Sequence, residues 1–357
     1  MVLLSGPRQV GKSWLARRIA SGFGSSVYLN YDNREHRELI ERYGWRGDTE
    51  LLVLDELHKM ASWKSHLKGI YDTKPDTLRV LVTGSARLET FRKSGDSLAG
   101  RYFMHRLFPV SPSEARAAGL SLGLERFLER GGFPEPLLAE SGTEADRWRS
   151  QYLDGLIRED ILSFENVRNL RAIHLLVELL RDRVSSPVSY QSLAEDIGTA
   201  PNTAKRFIEI LESLYIVFRV TPYSRDIARS LSKQPKLYFF DTGLVRGGEG
   251  PRFENLAALC LLKRQAALED RTGRPHGLYY LRTKDGREVD FLLVSDGVPE
   301  RMVEAKAGER SLSPHLSYFN QKYGYPGIQI VADLPLESDR GGLTIRRAEE
   351  WLKNLEA

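Results

Sequence analysis

The first residues able to do chemistry come at the very start of the chain. Gly6-Pro7-Arg8-Gln9-Val10-Gly11-Lys12-Ser13 is a full GxxxxGK[ST] phosphate-binding loop directly behind the apolar run Val2-Leu3-Leu4. Glycines let such a loop curl until successive backbone N–H groups face one anion, and a helix opening near Lys12 aims its positive end at the same point. In this pattern Lys12 reaches the β- and γ-phosphates of a nucleotide, and the Ser13 hydroxyl ligates Mg²⁺. A glycine turn joining a strand to a helix is the plainer reading. The residues after the loop disfavour it: Trp14, Leu15, Arg17, Arg18 and Ile19 have helical spacing, which gives the strand-loop-helix setting the chemistry requires.

About forty residues on, Leu51-Leu52-Val53-Leu54 ends in Asp55-Glu56. This is the pattern of a buried parallel strand that delivers carboxylates to its C-terminal edge. Asp55 is the candidate to hold Mg²⁺ through water, and Glu56 is the candidate base for an attacking water, because hydrolysis needs a carboxylate that the metal does not occupy. A third strand, Arg79 to Thr83, runs into Gly84-Ser85, so Thr83 or Ser85 is placed to sense the γ-phosphate; both are equally good turn residues. Arg101 is a candidate cation for the transition-state charge, in the same chain or from a neighbouring subunit, and equally a solvated surface arginine.

A second set of acids lies far downstream. Glu288-Val289-Asp290-Phe291-Leu292 reads as a strand, the turn at Asp296-Gly297 comes after it, and Met302-Val303-Glu304-Ala305-Lys306 reads as the next strand. Side chains alternate along a strand, so Glu304 and Lys306 share a face that Asp290 can reach. This D…ExK arrangement resembles the PD-(D/E)xK nuclease core: Asp290 and Glu304 would hold Mg²⁺, Lys306 would position water, and Glu254 would add an acid from the preceding helix. An ExK pair on an exposed strand is also commonly a plain salt bridge.

These groups need elements to hold them. The N-terminal motifs require a parallel α/β sheet, expected over residues 1–110. Beyond it the glycines of 119–123 and Gly131-Gly132-Phe133-Pro134 break the chain, and helical patterns cover 147–164 and 171–183. Trp148, Tyr152, Leu156 and Ile157 recur at helical spacing and read as core, giving a helical connector over 111–183. Next come a short helix (189–197), the turn Gly198-Thr199-Ala200, a helix opened by Pro201 and an alternating strand, the outline of a winged helix-turn-helix over 184–235. Its second helix would offer Asn202, Thr203, Lys205 and Arg206 to DNA, although winged helices also serve as protein spacers. The region 236–357 would hold the nuclease-like domain.

Composition sets outer bounds. The 357 residues, 41% hydrophobic and 28% charged, suit several globular domains. No apolar run nears the roughly 20 residues that span a bilayer, so cytoplasm is the expected compartment and a membrane is not an expected partner. A net charge of +4 hints at polyanions without deciding the matter. The one cysteine, Cys260, cannot form an intrachain disulfide and reads as a small core residue.

Taken in order, GPRQVGKS, LLVLDELHK, LVTGSAR, LAGRYFMHRLFPVSPSE and GGFPEP resemble a widespread bacterial and archaeal family of AAA-type P-loop ATPases. In that family the ATPase domain precedes a C-terminal domain of unknown function, and the likeness runs over nearly the whole chain. The resemblance implies an AAA+-like core in which Lys12, Ser13, Asp55 and Glu56 match the ATP-site motifs and Ser85 falls in the sensor segment. Family members carry a further N-terminal segment on the adenine side of the pocket; with the P-loop so near the first residue, the domain over 1–110 is expected to be N-terminally short, either because the true start lies upstream or because the base-binding side is incomplete. The expected protein is therefore α/β, with ATP and Mg²⁺ as ligands, DNA and a second copy of the chain as candidate partners, and ATP hydrolysis as its activity. An ATP-regulated DNA nuclease and a weakly hydrolysing scaffold are the alternatives.

Overall fold

A computed structural model describes residues 1–84, 98–160, 169–224 and 234–355, apart from the side chains of 159 and 160. Two compact units divide the chain, Met1–Phe108 and Pro109–Ala357. No helix among the described residues is long and apolar enough to cross a membrane.

In the first unit, β1 (Val2–Ser5), α1 (Lys12–Ala20), β2 (Ser26–Asn30), α2 (Arg34–Glu41), β3 (Leu51–Asp55), α3 (Trp63–Thr73), β4 (Arg79–Thr83) and β5 (Phe103–Arg106) succeed one another. Their parallel sheet runs β2-β3-β4-β1-β5. β3 is apolar at four successive positions because both of its faces are covered, as a central parallel strand requires. On one face Leu3, Leu52, Leu54, Val80 and Val82 pack with Ile40, Trp63, Leu67 and Ile70. On the other, Leu4, Leu51, Val53 and Leu81 meet Ala16 and Ala20, whose small side chains let α1 lie close to the sheet. The insertion of β4 between β1 and β3 puts the loop after β1 and the acids after β3 at one sheet end, two strands apart.

The second unit opens with α4 (Pro112–Ala117), α5 (Leu124–Arg130), α6 (Pro134–Leu138), α7 (Gly142–Gly155) and α8 (Leu170–Arg181). Reciprocal Ser111/Glu114 and Ser141/Glu144 bonds cap α4 and α7, fixing where those helices begin. The helix expected from 147 starts earlier and changes to a π-turn at Leu156–Asp160. Trp148 and Tyr152 stack at 4.7 Å beside Phe133, the aromatic core that their spacing implied.

Two helices, α9 (Tyr190–Asp196) and α10 (Pro201–Ser213), then lead into β6 (Val217–Pro222) and β7 (Lys236–Phe239). After α11 (Glu249–Thr272) come β8 (His276–Arg282), β9 (Glu288–Ser295), β10 (Val298–Lys306), α12 (Pro314–Tyr323), β11 (Gly327–Val331), β12 (Ser338–Arg340), β13 (Leu343–Arg347) and α13 (Ala348–Lys353). The sheet order β12-β13-β11-β10-β9-β8-β6-β7 runs straight through the boundary expected at 235/236: β6 pairs antiparallel with β7 and parallel with β8. Strands from both sides of that boundary therefore share one sheet. Cys260 is buried on α11, and burial pushes its thiol up to about 12.

Candidate functional site

The loop between β1 and α1 turns through left-handed backbone at Gly6 (φ 146°), Gln9 (φ 58°) and Gly11 (φ 102°). A side chain at Gly6 would put its Cβ 2.1 Å from the carbonyl oxygen of Leu107, so only glycine fits. At its centre Lys12 is buried, and its Nζ donates to the carbonyls of Gly6 (3.0 Å) and Pro7 (2.5 Å). Burial lowers the Lys12 pKa to about 8 against the pull of Glu56 and Asp55, so this cation is under-stabilised where an anionic phosphate would stabilise it.

Asp55 ends β3 and is buried. Oδ2 accepts from Ser13 Oγ (2.8 Å), from Asn30 Nδ2 (3.0 Å) and from the Tyr28 hydroxyl, and Oδ1 accepts from the Thr83 hydroxyl. Tyr28 and Asn30 alternate onto one side of β2, with Asn30 opposite Asp55 in register. Burial works against the charge on Asp55, but the four bonds outweigh it and hold the carboxyl below its ordinary range. Thr83, one of the two candidate sensors, thus serves Asp55 directly, while Ser85 lies outside the described residues.

Glu56 comes next, in left-handed backbone (φ 56°), which turns its side chain out of the strand's alternation. Burial raises its pKa, with Lys59 and Lys12 opposing. Lys59 Nζ stands 3.4 Å from Glu56 Oε2 and 2.5 Å from Asp32 Oδ2, so it steadies the carboxylate without enclosing it. Lys12, Ser13, Asp55 and Glu56 therefore converge at one end of one sheet. The set suits a triphosphate with Mg²⁺: a loop with the positive-φ turns of an anion cradle, a buried ammonium, and a hydroxyl and an ionised carboxylate side by side for a hard, hydrated cation.

Arg101 is elsewhere. It precedes β5 at the end where Phe103 pairs with Val2, opposite the loop, and its Nε bonds Asp72 Oδ1 at 3.1 Å. Within its own chain it is placed away from the phosphate cradle, because parallel strands put their starts and their ends at opposite edges.

In the second unit the fold brings Glu254, Asp290, Glu304 and Lys306 together. Glu304 Oε1 meets Lys306 Nζ at 3.0 Å, Asp290 Oδ2 accepts from Ala305 N at 3.0 Å, and Asp290 N donates to Glu304 Oε2 at 3.4 Å. A residue not singled out in the sequence stands among them. Lys236 on β7, 1% exposed, has its Nζ 2.8 Å from Glu288 Oε1, 3.2 Å from Glu254 Oε1 and 3.5 Å from Asp290 Oδ1. Burial opposes its charge, but the carboxylates prevail and raise its pKa. The available signal was a lone lysine beside Leu237-Tyr238-Phe239-Phe240, since a buried lysine needs acids around it. Among the described residues, no group of three or more His, Cys, Asp or Glu side chains is arranged to hold a metal ion.

On α10, Asn202, Lys205 and Arg206 are exposed and Thr203 is half-buried, while Ala204, Phe207 and Ile208 face the core.

Known proteins resemble the chain in separate segments. Residues 1–115 match an AAA domain model, 122–247 a domain of unknown function (DUF8612) and 249–335 another (DUF4143). An uncharacterised protein of Mycobacterium tuberculosis is 25% identical over 319 residues, spanning 84% of this chain and 68% of its own length. One from Methanocaldococcus jannaschii is 22% identical over 330 residues, spanning 82% and 72%. A solved Walker-type ATPase of Pyrococcus abyssi is 16% identical and aligns with a TM-score of 0.42 over 68% of this chain and 89% of its own. Loop geometry and sheet order in the first unit are those of a P-loop fold, in line with the match of residues 1–115 to an AAA domain model.

Proposed function

We propose that this protein is a Mg²⁺-dependent ATPase that works on nucleic acid in the cytoplasm. One observation carries the reading: a phosphate cradle with a buried lysine, and a carboxylate pair in which Asp55 is held ionised by four donors while Glu56 is left with a raised pKa. Mg²⁺, when bound, would neutralise charge on the β- and γ-oxygens. Ser13 and Asp55 would hold it, and Lys12 and the loop N–H groups would orient the triphosphate. Glu56 would accept the proton of a water attacking the γ-phosphorus as the bond to the β–γ bridging oxygen breaks, leaving ADP and phosphate. A raised carboxyl pKa suits a group that must take that proton.

Asn202, Lys205 and Arg206, exposed at the start of α10 behind a helical turn, support DNA as the partner. A homo-oligomer in which Arg101 of one copy serves its neighbour belongs to the same proposal. Hydrolysis measured with and without single-stranded, duplex and branched DNA tests the reading. Glu56→Gln should bind ATP and lower turnover about 10²–10⁴-fold, and unchanged turnover removes Glu56 as the base. A second reading, an ATP-regulated DNA nuclease, draws support from the convergence of Asp290, Glu304 and Lys306. It requires Mg²⁺ among those acids, where the Lys236 ammonium stands.

A further inference from the structure

The acids of the second unit look like a cation site, and the chain itself supplies a cation. We infer that Lys236 fills the position a divalent metal would take between Glu254 and Asp290, so that this carboxylate cluster is closed to Mg²⁺ and Mn²⁺ and acts as an internally neutralised joint between β7, α11 and β9. A metal bridging Glu254 Oε1 and Asp290 Oδ1 would have to sit near the point that Nζ approaches to 3.2 and 3.5 Å. Mg²⁺ demands oxygens at about 2.0–2.1 Å with several waters retained, and a buried ammonium at that point repels it at short range in a poorly screened interior. Oxygens of the cluster also accept hydrogen bonds. Asp290 Oδ2 accepts from Ala305 N, Glu304 Oε1 from Lys306 and Ser313, Glu304 Oε2 from Asp290 N, and Glu254 Oε1 from Tyr238 at 2.7 Å.

Lys236 is held in place from outside the cluster as well. Its backbone lies in the β6–β7 ladder opposite Val220, and the Tyr280 ring lies 5.6 Å from Nζ. A side chain that is 1% exposed and rooted in a paired strand cannot leave for solvent without unpairing three carboxylates.

The full-length chain titrated with MnCl₂ in the absence of nucleotide, read by electron paramagnetic resonance of free Mn²⁺, tests the assignment independently of ATP hydrolysis. Asp55→Asn should show no saturable site, and any saturable uptake by the wild type should be lost in Asp55→Asn and unchanged in Asp290→Asn. Saturable Mn²⁺ uptake that survives Asp55→Asn and is lost in Asp290→Asn would overturn the inference. Lys236→Met, checked for native secondary structure by circular dichroism, should gain a saturable Mn²⁺ site that the added change Asp290→Asn abolishes. A folded Lys236→Met that takes up no Mn²⁺ removes Lys236 as the occupying group. If that variant does not fold, the wild-type and Asp55→Asn titrations decide alone.

Discussion

Lys12 and Lys236 are both buried lysines beside carboxylates on α/β sheets, and they carry opposite electrostatics. Lys12 donates to two backbone carbonyls, and burial lowers its pKa to about 8. Lys236 touches three carboxylates, which raise its pKa in spite of burial. The acids differ in the same sense. Asp55 is held by neutral hydroxyl and amide donors and stays ionised, whereas burial and neighbouring negative charge push Glu254 and Glu304 up to about 7. The lesson is that a buried charge marks a ligand site when its partners leave it under-satisfied, and marks architecture when they complete it.

Stability should separate the two lysines most strongly. Lys236→Ala leaves Glu254, Glu288 and Asp290 facing one another without a cation, and should cost about 3–5 kcal/mol in denaturant unfolding, the usual penalty for breaking a buried pair from one side. Lys12→Ala should abolish ATP binding while costing less than about 1.5 kcal/mol, because it gives up only hydrogen bonds to carbonyls. Equal losses for the two variants would break the comparison.

The next largest effect concerns pH and nucleotide. With the Lys12 pKa at about 8 in the free protein, ATP must bind the protonated lysine. Affinity should be constant below pH 8 and fall above it, approaching about tenfold per unit. Titration calorimetry from pH 7 to 9.5 checks this, and a flat profile would show that phosphate does not meet the Lys12 ammonium.

The pH dependence of stability separates the sites again, the contribution of Asp55 running opposite to those of Glu254 and Glu304. Glu254 and Glu304 have folded pKa values raised from 4.5 to about 7, so their contribution is full below 4.5 and declines as pH rises to about 7. The slope is at most about 1.4 kcal/mol per pH unit for each group. Lys236, raised above 10.5, is constant across that window. Asp55 is lowered from 3.8, so its contribution is present above 3.8 and is lost as pH falls through its folded value. Hydrogen exchange of the intact chain, corrected for intrinsic rates, reads both units in one sample. A second unit that grows more stable between pH 4.5 and 7 would contradict the burial of its acids.

The first site was largely legible because its chemistry is local. Eight consecutive residues make the phosphate loop, and four apolar residues before Asp55-Glu56 announce a central parallel strand. Its supports were not legible: Tyr28, Asn30 and Thr83 lie on two other strands, and only the β2-β3-β4 order brings them to one carboxylate. Arg101 shows the same limit from the other side, since strand direction puts it at the far edge of the sheet. In the second unit, alternation was enough to pair Glu304 with Lys306, and helix periodicity was enough for the Trp148–Tyr152 core.

By itself, then, the sequence determined which side chains are acidic, basic or apolar and how they recur along each element, which is sufficient for a phosphate loop, a buried strand and an ExK pair. Only the tertiary structure decided that β7 joins the sheet beside β6 and so carries Lys236 to Glu254, Glu288 and Asp290, 18, 52 and 54 residues away. The physical reason is that local periodicity fixes a residue's face, whereas its charge partners depend on strand order, which no short stretch of chain encodes.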